Sequence, residues 1–403
     1  MNELHLPWIE IAILLPLLGA AWVSRFRDPL VALGHTLVVS TLALLASAAE
    51  VHDFYSLHAF QAQDAWHLMT RLIGRELFAI DELSAPLLPM TALIYLLTAL
   101  ATLRTKLPRF SFPMMLVSES LALALFSAID PQVIIALLCV GCVPVLIELR
   151  SRGQSTRCYA LAMGMSSLLM VVGWSFLESE HSRTHSLWAL LPLLVAVSIR
   201  SGVFPFHWWQ ADLFEKASFG TALLVSTPLA GAYAALRLVV PVSPDWVLRI
   251  LGVMALLTAV YASGLCMIQK DVRRLFACLL TSHATMVLVG LEVVTTIGLT
   301  GALCVWISVG LSLSGLGLTL RALEARHGRL TLTHYQGVYE HAPGLAIAFL
   351  VTGLACVGFP GTIGFIGNEM LIDGAVEAYP HVGPLLVIAM TFNGIAILRA
   401  YFL

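Results

Sequence analysis

Hydrophobic runs along this chain are long, and the polar stretches between them are short. A run of about 20 mostly apolar residues is what one helix needs to cross a bilayer. By that rule the sequence predicts 13 spans, at roughly 8–24, 30–48, 79–103, 112–129, 131–149, 158–177, 187–209, 219–240, 246–268, 272–291, 295–320, 343–366 and 382–402. The stretch 49–78 stands apart. It is polar and aromatic, carries Asp53, Asp64, Arg71 and Arg75, and reads as an ordered extramembrane loop or a surface-lying helix.

Two of these runs are interrupted. Span 7 is broken at SGVFPF (201–206) and span 12 at GFPGTIGF (358–365). Glycine and proline there free backbone groups that protein or water must satisfy. The breaks lie five spans apart, so the two spans run in opposite directions. Paired Gly/Pro interruptions of this kind mark inverted repeats in transporters. The expected architecture is an all-α membrane protein of about 13 transmembrane helices. It holds two inverted five-helix repeats, spans 4–8 (residues 111–240) and spans 9–13 (residues 241–403). Spans 1–3 (residues 1–110), with the loop 49–78, form an N-terminal addition.

Composition agrees with this pattern. The chain has 403 residues, 59% hydrophobic and only 11% charged, where a soluble domain carries about 25% charged residues. A net charge of −2 gives no reason to expect nucleic acid as a partner. The seven cysteines show no metal-ligand spacing. Cys139 and Cys142 form a CxxC, but inside the apolar run VIIALLCVGCV, where small packing residues are expected. The first apolar run, IEIAILLPLLGAAWV, has acidic residues at its start, the wrong flank for a secretory signal. The last span ends at AILRAYFL without a polar tail. Fifteen of the 22 Lys and Arg residues fall in loops after odd-numbered spans. The positive-inside rule then places the N-terminus outside.

The few charges inside the apolar runs are the informative ones. Glu119 lies in span 4, Arg200 in span 7, His283 in span 10 and Glu369 just past the break in span 12. His207, Asp212 and Glu215 follow the break in span 7. A charge at the bilayer centre costs at least about 2.5–3.5 kcal/mol, so such residues face protein or water and mark ion or proton paths. Each also has a plainer reading. Glu119 and Arg200 suit a structural ion pair, His283 a hydrogen-bonded packing histidine, and Asp212 and Glu215 a solvated loop face.

These residues carry a resemblance. RSGVFPFHWWQADLFEKASFGTALL is similar to the span 7–8 signature of the antiporter-like subunits of respiratory complex I, K-S-A-x-x-P-F-H-x-W-L-P-D-A-M-E-x-P-T-P-x-S-A-L-x-H. Arg200, Ser201, Pro205, Phe206, His207, Trp209, Asp212, Glu215, Ala222 and Leu223 align with it without a gap. FAIDELSAP (78–86), DVRRLFACLLTSH (271–283) and GFPGTIGFIGNE (358–369) are similar to three further motifs of that family, in the same order. The family also includes subunits of membrane-bound hydrogenases and multisubunit Na+/H+ antiporters, and the membrane partner of a carbonic-anhydrase-like subunit in bacterial inorganic-carbon uptake.

The resemblance implies proton transfer along a central line of Lys, His and Glu, and this chain departs from that line. The span 7 lysine is Arg200, which cannot lose its proton. The span 5 glutamate falls near Cys139, the span 8 Lys or His near Val225, and the span 11 His and Lys near Val309 and Leu313. The span 12 acid is Glu369, or is replaced by Asn368. A proton path would run instead through Glu119, His283 and Glu369.

The function that follows is a proton- or cation-translocating membrane subunit of a multisubunit energy-converting complex, with a degenerate relay. A second reading is the membrane subunit of an inorganic-carbon uptake complex with a carbonic-anhydrase-like partner. A third is a non-transporting structural subunit. No catalytic residue, cofactor or metal is expected in this chain. The implied partners are other subunits of the same family, a peripheral soluble catalytic subunit and lipid. The implied location is the inner (plasma) membrane, if the source is bacterial.

Overall fold

The computed structural model describes residues 2–66, 74–103, 107, 110–179, 186–293, 295–335 and 337–403. Of the basic residues used to infer orientation, Arg71, Arg104, Lys106, Arg109 and Arg183 lie outside the described residues. The chain divides into two compact units, Met1–Ser151 and Arg152–Leu403. The first five-helix repeat drawn from the sequence, 111–240, straddles that division.

The first unit holds α1 (Trp8–Val23), α2 (Pro29–Ser56), α3 (Ser84–Leu100), α4 (Phe112–Ser127), α5 (Pro131–Val140) and α6 (Val143–Ser151). Proline sits in the first turn of α2, α4 and α5, where its missing N–H costs nothing. The Asp28 and Asp130 side chains cap α2 and α5 by accepting backbone N–H groups. Helix α1 packs on α2 and α4, and α2 on α3. The predicted loop 49–78 differs from expectation at its start. Helix α2 continues to Ser56, carrying Glu50 and Asp53 into the protein. Three short strands follow from the same region: β1 (Asn2–Glu3) pairs parallel with β2 (Gln61–Gln63), and β2 antiparallel with β3 (Ile80–Asp81).

The second unit holds α7 (Arg157–Ser179), α8 (Leu187–Ser201), α9 (Trp208–Lys216), α10 (Phe219–Ser226), α11 (Ala230–Ala234) with a π-helical turn at Ala235–Val239, α12 (Asp245–Ile268), α13 (Val272–Val293), α14 (Thr296–His327), α15 (Val338–His341), α16 (Pro343–Val357), α17 (Ile363–Ala378) and α18 (Val382–Phe402). Helix α14 outruns the predicted span 295–320, so Arg321 and Arg326 lie on a helix rather than in a loop. Helix α13 is buried around nearly its whole circumference and is the central rod of the unit. Helices α12, α14 and α18 pack against it.

Among the described residues, eight helices are long and apolar enough to cross a membrane, and five shorter apolar helices accompany them. Every run predicted from the sequence has a helix at its position. This is an all-α, multi-pass membrane fold.

Candidate ion path

The breaks expected in spans 7 and 12 are present, and they share one backbone solution. Helix α8 ends on Gly202 at φ +72, and α16 on Gly358 at φ +82. In the first, Gly202 N–H donates to Ile199 O and Val203 N–H to Ser198 O. In the second, Gly358 N–H donates to Ala355 O and Phe359 N–H to Leu354 O. These are the same two bonds at the same offsets, a left-handed glycine stop that satisfies orphaned helix carbonyls. The chain re-enters a helix at Trp208 in one case and Ile363 in the other.

A third break was not foreseen. Span 8 stops after Ser226, turns at Pro228 and Leu229, and resumes at Ala230. Leu229 holds φ +57, which is rare for a side chain branched beyond Cβ. The Trp306 indole N–H from α14 donates to Pro228 O at 3.0 Å, satisfying a carbonyl the break frees. The only cue in the sequence is Pro228 in STPLAG, and one proline in a membrane helix is weak evidence. The resumed helix lies against the first break: a Cβ at Gly231 would stand 2.6 Å from Ser201 Oγ.

Helix α13 joins the breaks in spans 7 and 12 through successive polar side chains. The Thr281 hydroxyl donates to Gln210 Oε1, and the Gln210 amide underlies Gly202. The Ser282 hydroxyl donates to Ala259 O at 3.0 Å and accepts from Asn393 Nδ2 at 2.9 Å. His283 has Nδ1 2.8 Å from Leu279 O and Nε2 3.0 Å from Cys356 O, in the last turn before Gly358. Both contacts are to acceptors. A neutral imidazole has one N–H, so it serves one carbonyl and turns a lone pair to the other; the doubly protonated ring donates to both. Gain or loss of a proton at His283 therefore changes its bond to one of these two carbonyls. Further along α13, Glu292 is fully buried, and neither carboxylate oxygen has a hydrogen-bond partner. Nine residues separate it from His283, about 13 Å along a helix axis.

The other predicted site residues fall in several environments. Arg200 is half-buried in the last turn of α8, two residues before the stop. The His207 ring stacks on Phe204 (5.9 Å) and meets the edge of Tyr261 (5.4 Å), its Nδ1 buried without a partner. Asp212 pairs with Lys216 at 2.5 Å. Glu215 meets Arg274 at 2.9 Å and Arg329 at 3.4 Å, and Arg329 also reaches Asp271 at 2.8 Å. Burial pulls the Arg329 guanidinium down, but its bonds to Asp271 and Glu215 together outweigh that and hold it above its ordinary pKa. Asp212 and Glu215 thus sit in an ion-pair belt. Glu119, in the first unit, is fully buried and accepts from Ser40 Oγ at 2.8 Å.

At the second break, Asn368 faces inward and donates to Val357 O at 3.1 Å, whereas its neighbour Glu369 is exposed on the outer face of α17. Of the two residues that compete for the span 12 position, the asparagine touches the break. Among the described residues no cluster of three or more His, Cys, Asp and Glu is arranged to hold a metal ion, and all seven cysteines are free.

Discontinuous helices beside buried polar side chains are a feature of many membrane transporters. Residues 153–393 match the family described as NADH:quinone oxidoreductase/Mrp antiporter, TM, and this chain belongs to that family. It is an antiporter-like membrane subunit of the ion-translocating complex I and Mrp kind.

Curated relatives include NAD(P)H-quinone oxidoreductase chain 4 3 of Trichormus variabilis, 25% identical over all of this chain and 81% of the relative. NADH-quinone oxidoreductase subunit 13 of Thermus thermophilus is 28% identical over 80% of this chain and 74% of its own length. Among solved structures, a chain of respiratory complex I from Thermus thermophilus with bound NADH superposes with a TM-score of 0.84 at 24% identity, covering 98% of this chain and 88% of that one. A chain of the Mrp complex from Dietzia sp. gives 0.85 at 21% identity, covering 98% and 80%. The likeness to these structures is one of fold.

Proposed function

We propose that this subunit moves protons within a multisubunit, energy-converting membrane complex, along α13 rather than along the family's lysine line. It would work beside other antiporter-like subunits and a soluble catalytic arm, as the names of the similar assemblies suggest. The observation that carries this reading is the polar stripe of α13, which touches the break of span 7 at Gln210 and the break of span 12 at Cys356 O. On this route His283 is the central proton carrier and Glu292 the terminal acid. Arg200 is a fixed charge that sets the field at the first break, because it cannot exchange its proton.

The chain is inferred to cross the membrane 13 times with its N-terminus outside, so that α13 runs from the basic Lys270–Arg274 end outward. The equal glycine stops support two inverted repeats, spans 4–8 and 9–13. Cysteines placed at Arg27 and Asp245 test the orientation with an impermeant thiol reagent added outside. Labelling at 245 is expected, and labelling only at 27 overturns it.

The decisive test is His283→Gln in the whole complex reconstituted into vesicles. Proton uptake per assembled complex should be lost while the partner's redox or ion-exchange chemistry stays measurable. Normal proton movement in that variant removes α13 as the route. A structural, non-transporting role is supported by the ion-paired state of Asp212 and Glu215, and unchanged proton movement with reduced assembly would select it.

A further inference from the structure

The first unit contains buried acids that the proposed route does not use. Glu50, near the end of α2, is fully buried, and neither of its carboxylate oxygens has a hydrogen-bond partner. It lies within electrostatic reach of Asp64, in the loop after β2. Asp64 is itself buried. Its Oδ2 accepts the Glu10 N–H at 2.7 Å, which ties the loop to the first turn of α1, and its Oδ1 is buried without a partner. Beside it, the Gln63 side-chain amide nitrogen is also buried and unpartnered.

Among the described residues, the charged groups that bear on this pair are these. Helix α1 contributes the Glu10 carboxyl, which adds negative potential at Asp64. Helix α2 contributes Asp53, one turn from Glu50 and already bonded to His5 N–H (2.8 Å) and His5 Nδ1 (2.5 Å). The β3 residue Asp81 is held by Ser84. Helix α3, packed on α2, has no ionisable group along its length other than Tyr95. Among the described residues no set of ligands here is arranged for a metal ion.

Two buried carboxyls within electrostatic reach of each other resist ionising together. We propose that Glu50 and Asp64 form a proton-holding carboxyl pair, a second protonation site of this subunit, at the end of the first unit that carries the N-terminus. One carboxyl keeps its O–H while the other ionises and releases its proton to water. Desolvation, with smaller opposing and reinforcing contributions from Glu10, holds Asp64 at about 7, so exchange falls in the physiological range.

Dicyclohexylcarbodiimide, which attacks protonated carboxyls in apolar surroundings, tests this on the full complex in membranes, with peptide mass spectrometry as readout. Labelling of Asp64 should fall as pH rises through about 7, while labelling of Glu50 persists to higher pH. The near-isosteric Asp64→Asn should remove the Asp64 label and move the loss of Glu50 labelling to lower pH, because a like-charged neighbour has gone. A purely structural acid would show no such shift. Labelling that is independent of pH in the wild type overturns the proposal even if the variant does not assemble. Protection by sodium at constant pH also overturns it, in favour of a cation site. Failure of the His283 route leaves these outcomes untouched, because they are read in a different unit.

Discussion

The breaks of spans 7 and 12 have the same backbone and different surroundings. Both stop on a left-handed glycine with identical hydrogen bonds and restart within six residues. The first sits two residues after a permanent cation, Arg200, and before an aromatic-clamped His207. The second has no ionisable side chain facing it from its own helix: Asn368 fills that place and Glu369 points away. Its titratable group comes from outside, as His283 of α13. The backbone device is therefore independent of the charge. A glycine stop opens a helix and exposes carbonyls; neighbouring helices decide what chemistry meets them.

The largest way to break this comparison is to remove the cation. Arg200→Ala should lower turnover per assembled complex by about tenfold or more, about 1.4 kcal/mol on the barrier, while Arg200→Lys keeps part of it. Assembly is measured alongside by blue native electrophoresis. Reduced assembly with normal turnover would make Arg200 a clamp instead.

The glycines sharpen the comparison. Alanine at either stop must take a left-handed conformation that costs about 1–2 kcal/mol. At Gly358 its Cβ would also lie 2.9 Å from Gly364 O, a backbone atom, whereas at Gly202 the close atoms belong to the Gln210 side chain, 2.8 Å away. Gly358→Ala should therefore lower the thermal midpoint more than Gly202→Ala. The opposite order would show that Gln210 is held harder than the turn at 364.

Asp64 supplies a pH effect in the other unit. Its folded-state pKa is raised from 3.8 to about 7, so the folded chain holds a proton there that the unfolded chain loses first. Its stabilising contribution is complete below pH 3.8, falls as pH rises, and has gone above about 7. Asp64→Asn, which keeps an acceptor for Glu10 N–H, should flatten that fall, seen in thermal scans from pH 5 to pH 8. The smallest effect is expected at the ion-pair belt. Asp212→Asn removes a part-exposed pair with Lys216 and should change stability by about 0–1 kcal/mol, with proton movement unchanged. A transport defect there would bring Asp212 back as a path residue.

Much of this was legible in the residues. Apolar run length located a helix for every predicted span, because hydrocarbon allows few alternatives for the backbone. The glycines and prolines of SGVFPF and GFPGTIGF located two breaks. His283 was picked out as an ionisable residue inside oil. The acids Glu50 and Glu292 were missed, and for one reason. Each lies one or two residues beyond a predicted span end, where a hydropathy rule assigns the first acid to a loop. In the fold both helices run on, and both acids are buried.

The sequence by itself determined the class of the protein, where its helices run and where two of them stop, because those follow from local transfer energy and local backbone freedom. Only the tertiary structure decided that Asn368 rather than Glu369 meets the second break, that Asp212 and Glu215 are tied up in ion pairs, and that one central helix touches two breaks. Those outcomes depend on helix rotation and on neighbours as far as 114 residues away, as Glu215 and Arg329 are. No local pattern carries that information, since the side-chain direction of a helix in an apolar medium is set by what packs against it.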